Sequence, residues 1–392
     1  MSGKFSGALR LAPVIAAAAM IAQPLAAQEA SGSDAGRYRP ADSMERGLWL
    51  QVDELERDVR TSPMVIRDPA LNAYVRSVLC RVVGEEKCRD VRIYVMRTAQ
   101  FNATMAPNGM MQVWSGLLLR TQNEAQLAAI LGHEFTHFEN RHSVRLFREA
   151  KSKSDTAGFL NIIPFGGIVS LGLLTSIFSF SREMEREADM GGFRLIADAG
   201  YDTREAAVVW ERLRAEMDAT AAARGRSSRK DKNGGLFATH PPSAERVEYL
   251  REAAAQSPGV GGSTGYASFQ EAMKTHWPDF VEDQLKLNDF GASEYLLTSL
   301  AGGNGWTPWL NYARGELYRR RAKDGDLEQA VEVYSQAIAD GGQLPELWRG
   351  RGLVQLKLGR EEAARSDISE YLRRAPAAID APMMAMILGE AK

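Results

Sequence analysis

Three of the five histidines in this chain fall between residues 133 and 142. Two of them, His133 and His137, belong to the run His133-Glu134-Phe135-Thr136-His137. On a helix that spacing places both rings on one face, one turn apart. Two neutral imidazoles so placed can hold a zinc ion, and the carboxylate next to the first can take a proton from an attacking water. The bland alternative is a polar helix face. Against it stands the preceding run Leu127-Ala128-Ala129-Ile130-Leu131-Gly132, which buries the helix; buried imidazoles need partners.

A catalytic zinc usually takes three protein ligands and leaves one position open. The third is expected from Ser181-Arg182-Glu183-Met184-Glu185-Arg186-Glu187-Ala188-Asp189, which reads as a helix start. Glu185 and Asp189 share a face there. Glu185 is therefore expected to join His133 and His137 as a metal ligand, one zinc per subunit. Asp189 is expected to accept from the free ring nitrogen of His133. Glu183 and Glu187 point elsewhere and read as solvated. His142 is the alternative third ligand, but it lies five residues past His137 on the same helix and faces away. The reaction expected is zinc-assisted peptide hydrolysis, with Glu134 as the base that returns its proton to the leaving nitrogen.

The elements that must position these groups also have signatures. Leu48, Leu50, Val52, Leu55 and Val59 recur at helical spacing until Ser62-Pro63 breaks the pattern. Asp68-Pro69 opens a second helix that runs to about Val83. Asp90 to Val95 alternates and is β-branched, so it reads as a strand. Pro107-Asn108-Gly109 is a turn, and Met110 to Trp114 a second strand. That strand is expected at an exposed edge, where an extended peptide can pair with it. Thr121-Gln122-Asn123-Glu124 has capping-box form and opens the histidine helix.

The 392 residues are 45% hydrophobic and 25% charged, a globular balance long enough for two ordinary domains. A formal net charge of −2 gives no reason to expect nucleic acid as a partner. Lys4 and Arg10, the apolar run Leu11 to Ala22, and Pro24-Leu25-Ala26-Ala27 have the layout of a secretory signal peptide over residues 1–27. Export to the periplasm is expected, with an uncleaved anchor as the alternative. Residues 28–43 read as a flexible leader. Export and an even cysteine count predict a Cys80–Cys88 disulfide, with two inert thiols as the alternative. Residues 157–180 hold no charged residue and could span a bilayer by length. Pro164, Asn161 and four glycines favour instead a buried or mobile helical hairpin beside the site, with a span or peripheral membrane contact as the rival. Residues 222–235 form a basic, Gly/Ser-rich loop.

The expected organisation is α+β and mostly helical, with a small sheet. A metallopeptidase domain over 44–255 and a Gly/Ser/Pro-rich linker over 256–265 precede a helical repeat domain over 266–392. Gly325 and Gly359 lie 34 residues apart, as do Ala330 and Ala364. Trp348, Gly352 and Pro376 fall where a tetratricopeptide (TPR) repeat places them. Such helix pairs bury a shared core only by stacking.

Residues 40–250 resemble the zinc endopeptidases that include the heat-shock protease HtpX, the CAAX prenyl protease and the mitochondrial Oma-type protease. The resemblance is carried by Asn102-Ala103 with Pro107, Gly109, Val113 and Gly116-Leu117-Leu118. It continues through Leu131-Gly132-His133-Glu134-Phe135-Thr136-His137 with Arg141-His142, and Ser181-Arg182 with Glu185 and Ala188-Asp189. It implies a zincin-like (gluzincin) fold. With the leader and the repeats added, the chain is similar to the periplasmic BepA-like (YfgC-like) outer-membrane-assembly proteases. That likeness implies degrading or assisting misassembled outer-membrane β-barrel proteins, with the repeats docking on the assembly machinery.

The resemblance also implies roles for Thr239-His240-Pro241-Pro242 and Arg246. His240 could donate to a developing oxyanion and Arg246 could stabilise it; the bland reading is a helix-start histidine with structural prolines. A third reading makes His240 a latch, a fourth imidazole that fills the open metal position until substrate displaces it. A rival from another class is a TPR chaperone or adaptor with a structural zinc. Glu134 argues against it, because a structural site does not need a base.

Overall fold

The computed structural model describes residues 38–153, 180–228, 240 and 243–389. The expected signal peptide, the apolar stretch at 157–180 apart from Phe180, and positions 229–239, 241 and 242 lie outside the described residues. Helix α1 (Ser43–Thr61) starts where Asp42 accepts from the Glu45 amide at 2.9 Å. Its apolar stripe, Leu48, Val52, Leu55 and Val59, packs on Met96, Met110, Trp114 and Val144. Helix α2 (Pro69–Val83) has Asp68 as cap and proline in its first turn, where a missing N–H costs nothing. Cys80 and Cys88 form a disulfide that ties the end of α2 to the short α3 (Glu85–Cys88).

Strands β1 (Arg92–Met96), β2 (Ala103–Met105) and β3 (Met110–Trp114) form one sheet in the order β1-β3-β2. β1 runs parallel to β3 with Arg92 opposite Met110, and β2 runs antiparallel with Ala103 opposite Val113. Met110–Trp114 is therefore the central strand, buried at every position, and not the exposed edge its position after a turn suggested. Both its ladders are taken, and β2, too short to announce itself in the sequence, occupies the side expected to be open.

Helix α4 (Ser115–Arg120) leads into α5 (Glu124–Glu139), the histidine helix. Its cap is Asn123, whose Oδ1 accepts from the Gln126 amide at 2.9 Å, while Gln126 Oε1 accepts from the Gln122 amide at 2.9 Å. The cap lies two residues later than Thr121, which closes α4, and Gln126 reaches the amide before the cap in place of the cap's own. Helices α6 (His142–Lys153), α7 (Arg182–Asp198), α8 (Glu205–Ala223) and α9 (Ala244–Ala255) follow. α5 and α7 cross on glycine: a Cβ on Gly192 would sit 2.7 Å from the His133 amide nitrogen, and one on Gly132 would sit 3.2 Å from Gly192 Cα. No larger residue allows that approach, and it brings the acidic start of α7 against the histidines.

Residues 256–265 are stitched to the preceding helices. Ser263 exchanges backbone bonds with Gly200 and Asp202, and Thr264 accepts from the Ala125 amide, each at 3.0 Å. Helices α10 (Tyr266–Met273), α11 (Trp277–Lys286) and α12 (Phe290–Asn304) continue the same hydrophobic core. Buried Arg120 spans the junction, bonding Glu216 at 2.7 Å and Gln284 at 2.9 Å. Then come α13 (Pro308–Arg321), α14 (Asp326–Ala339), α15 (Glu346–Lys357), α16 (Glu361–Arg374) and α17 (Ala381–Leu388). Gly325 caps α14 and Gly359 sits just before the Arg360 cap of α16, both with left-handed backbones (φ 82° and 72°), a conformation that favours glycine. Tyr334 and Ile368, also 34 residues apart, are both fully buried, one against Gly315 and the other against Gly352. Among the described residues no helix is long and apolar enough to cross a membrane.

Candidate metal centre

The α5–α7 crossing and residue 240 bring four buried side chains together. One ligand-capable atom from each of His133, His137, Glu185 and His240 lies within 4.8 Å of all the others. His133 Nε2 and His137 Nε2 face each other at 3.1 Å. His240 Nδ1 is 3.2 Å from His133 Nε2 and 2.8 Å from Glu185 Oε1. Glu134, also buried, lies beside the cluster with Oε1 3.5 Å from His240 Nε2. Phe180 stacks on the His137 ring at 4.0 Å between centroids.

A cation fits this arrangement. Asp189 Oδ1 lies 2.9 Å from His133 Nδ1; a carboxylate only accepts, so Nδ1 carries the hydrogen and Nε2 presents a lone pair to the other imidazoles. Buried Glu185 Oε2 makes no hydrogen bond, although the Arg246 Nη1 charge lies 3.2 Å away. Arg246 meets part of the Glu185 charge, but an imidazole lone pair aimed into a buried spot beside a carboxylate remains costly unless a positive ion answers it. Nitrogen and oxygen donors of this kind suit zinc.

The surrounding charges are set by burial and by pairing. Burial raises the Glu134 carboxyl above the ordinary carboxylate range, against the opposing pull of His240 and His133. Burial would also raise Glu185, but His240 and Arg246 hold it well below its ordinary value. Asp189 overcomes burial through Arg246 and His133 and sits at about 2. Burial depresses His137 well below the usual imidazole value. Arg246 is fully engaged: its Nε bonds Asp189 Oδ2 at 2.8 Å, its Nη2 bonds Asp189 Oδ1 at 2.5 Å, and its guanidinium lies 3.7 Å from the Trp210 ring centre. Tyr249 donates to the same Asp189 carboxylate.

Two expectations are corrected. His142 is not on the histidine helix: α5 ends at Glu139, Arg141 takes a left-handed backbone (φ 54°), and His142 starts α6. Its ring turns back, with Nδ1 2.7 Å from His137 Nδ1. Glu187 is not a solvated bystander: it is half-buried, with Oε2 2.8 Å from His142 Nε2. Glu183 is exposed. Trp210, Tyr249 and Phe180 were not legible beforehand, because aromatic residues far apart in sequence carry no mark of a shared site.

A family model described as peptidase family M48 matches residues 67–254, which takes in every group above. The chain carries an M48 peptidase domain. Similar proteins include a putative beta-barrel assembly-enhancing protease of Vibrio cholerae serotype O1, 29% identical over 223 residues that cover 53% of this chain and 44% of the relative. The mitochondrial metalloendopeptidase OMA1 of Schizosaccharomyces pombe is 31% identical over 191 residues, 46% of this chain and 52% of the relative. A beta-barrel assembly-enhancing protease of Yersinia pestis is 27% identical over 314 residues, 74% of this chain and 57% of the relative. These matches span about half the length of each relative. The M48 domain here is zincin-like: helical, with a small sheet beside the motif helix.

Proposed function

We propose that this protein is a periplasmic zinc-dependent endopeptidase that hydrolyses misfolded or misassembled proteins, with outer-membrane β-barrel proteins as the substrate class. The observation that carries the reading is the convergence of His133, His137 and Glu185 on one buried spot with Glu134 beside it. Zinc held by those three ligands would supply Lewis acidity at the scissile carbonyl and lower the pKa of water towards neutrality. Glu134, its affinity for protons raised by burial, takes the proton of the attacking water and returns it to the leaving nitrogen. Asp189 holds the His133 ring, and Arg246 and Tyr249 hold Asp189. With its donors turned to carboxylates, Arg246 reads as a positioning residue in place of an oxyanion contact.

The substrate class and the compartment rest on the relatives named beta-barrel assembly-enhancing protease and on the signal-like layout of residues 1–27. Tetratricopeptide-like pairs over 266–392, supported by the equivalent packing of Tyr334 and Ile368, would dock on the assembly machinery. The test is digestion of an unfolded outer-membrane β-barrel protein. At equal zinc content, Glu134→Gln should lose about 10²–10⁴-fold in rate; equal rates for both proteins would favour a chaperone with a structural metal.

A latch is favoured for His240 by its place among the ligand atoms, 2.8 Å from Glu185 Oε1. Under this reading His240→Ala raises basal proteolysis and weakens zinc binding. An oxyanion donor would behave oppositely, with a fall of roughly a hundredfold or more and zinc retained.

A further inference from the structure

We propose that His142 and Glu187 form a positioning pair that fixes the ring of His137, as Asp189 fixes that of His133; this rests on the metal-site reading above. The pair depends on the break after α5. Were the helix to continue, His142 would face away from His137. The left-handed Arg141 (φ 54°) reverses the chain instead. Arg141 is tied into that turn by Glu45, by the Arg39 carbonyl at 3.1 Å and by the Tyr38 ring at 4.5 Å. An L residue with such a backbone costs free energy, which persists only where the surroundings enforce it.

The turn delivers a completely buried imidazole to the back of the ligand. His142 is 0% exposed, its Nδ1 lies 2.7 Å from His137 Nδ1, and the two rings stand at 77°. Its far nitrogen, Nε2, lies 2.8 Å from Glu187 Oε2, and Arg145 Nη1 reaches the same oxygen at 3.2 Å.

Hydrogen-bond direction then follows from the end of the chain inwards. The Glu187 carboxylate can only accept, so His142 Nε2 carries the hydrogen. A neutral imidazole has one N–H, so His142 Nδ1 must be an acceptor. The hydrogen between the two rings therefore sits on His137 Nδ1, and His137 Nε2 is left as a lone pair. That lone pair faces the His133 Nε2 lone pair at 3.1 Å, the arrangement a metal ion resolves and a dry core does not tolerate. Helix α7 thus supplies three carboxylates with three tasks: Glu185 as ligand, Glu187 behind His137 through His142, and Asp189 behind His133.

A buried histidine that merely satisfies its own core would not need to face a ligand nitrogen. The two roles separate in zinc affinity, measured on the full chain by competition with a chromophoric chelator. His142→Ala leaves the His137 N–H without a partner and should weaken zinc binding by about 10- to 100-fold. His142→Asn, which keeps an acceptor at the Nδ1 position, should recover most of that loss. Glu187→Ala, a half-exposed site with little bearing on folding, should give a smaller loss, and adding it to His142→Ala should cost nothing further, because the two act as one unit. Wild-type affinity in His142→Ala, or equal weakening by Ala and Asn, would overturn the pairing and leave His142 as core packing. A wild-type protein that binds no zinc would instead overturn the metal-site reading beneath it.

Discussion

At the crossing of α5 and α7 the protein buries a cluster of charges; around Tyr334, between α13, α14 and α15, it buries chiefly shape. The first region holds His133, Glu134, His137, Glu185, Asp189, His240 and Arg246, all buried. Each is tolerable only because another answers it. In the second region glycines at 315 and 350 leave a slot for the Tyr334 ring; its hydroxyl donates at 2.7 Å to the buried carboxylate there, Glu316, which Arg319 pairs. Electrostatic burial makes a site that is costly to disturb and able to bind an ion. Steric burial makes a stack that is costly to disturb but chemically silent.

The contrast is sharpest for Arg246→Leu. It leaves the Asp189 carboxylate buried without its cation, which should cost about 3–5 kcal/mol of stability. Zinc affinity should fall as well, because the His133 orienter loses its anchor. Chemical denaturation and metal competition on the same sample read both; a loss of stability with unchanged zinc affinity would break the link between charge burial and the metal.

In α15, Gly350→Ala should act by shape alone. The added Cβ would meet Tyr334 Cζ at 2.7 Å, an overpacking that costs roughly 1–3 kcal/mol. Zinc content and cleavage of a short unstructured peptide should stay at wild-type values. Lost zinc in this variant would mean that the two regions are not energetically separate.

The comparison also explains what the sequence disclosed. Gly325 and Gly359 are legible as helix-start glycines because a left-handed backbone is written locally, as Gly. The ligand helix was legible because His133 and His137 are one turn apart. The carboxylate Asp189 was legible from its phase with Glu185. The rest was not local. A left-handed Arg141 has no residue signature, so helical spacing alone runs α5 on through His142 and shows no partner for Glu187. β2 has three residues and exists because β3 offers it a ladder, which moved the expected edge away from Met110–Trp114.

The smallest effect is expected at the entrance to the histidine helix. Asn123→Ala removes the cap acceptor of α5 and should cost about 0.5–2 kcal/mol. His133 lies well inside the helix, so zinc affinity should be unchanged at temperatures below unfolding. A fall in affinity larger than the fall in stability would show that the ligands sense fraying of the first turn.

The proposed zinc site rests on His133, His137 and Glu185 together. Zinc per chain, measured by elemental analysis after dialysis, tests it most directly on wild type, Glu185→Gln and Glu183→Gln. One zinc is expected in the wild type and in Glu183→Gln, whose side chain is exposed, and close to none in Glu185→Gln. Equal zinc in all three proteins would contradict it.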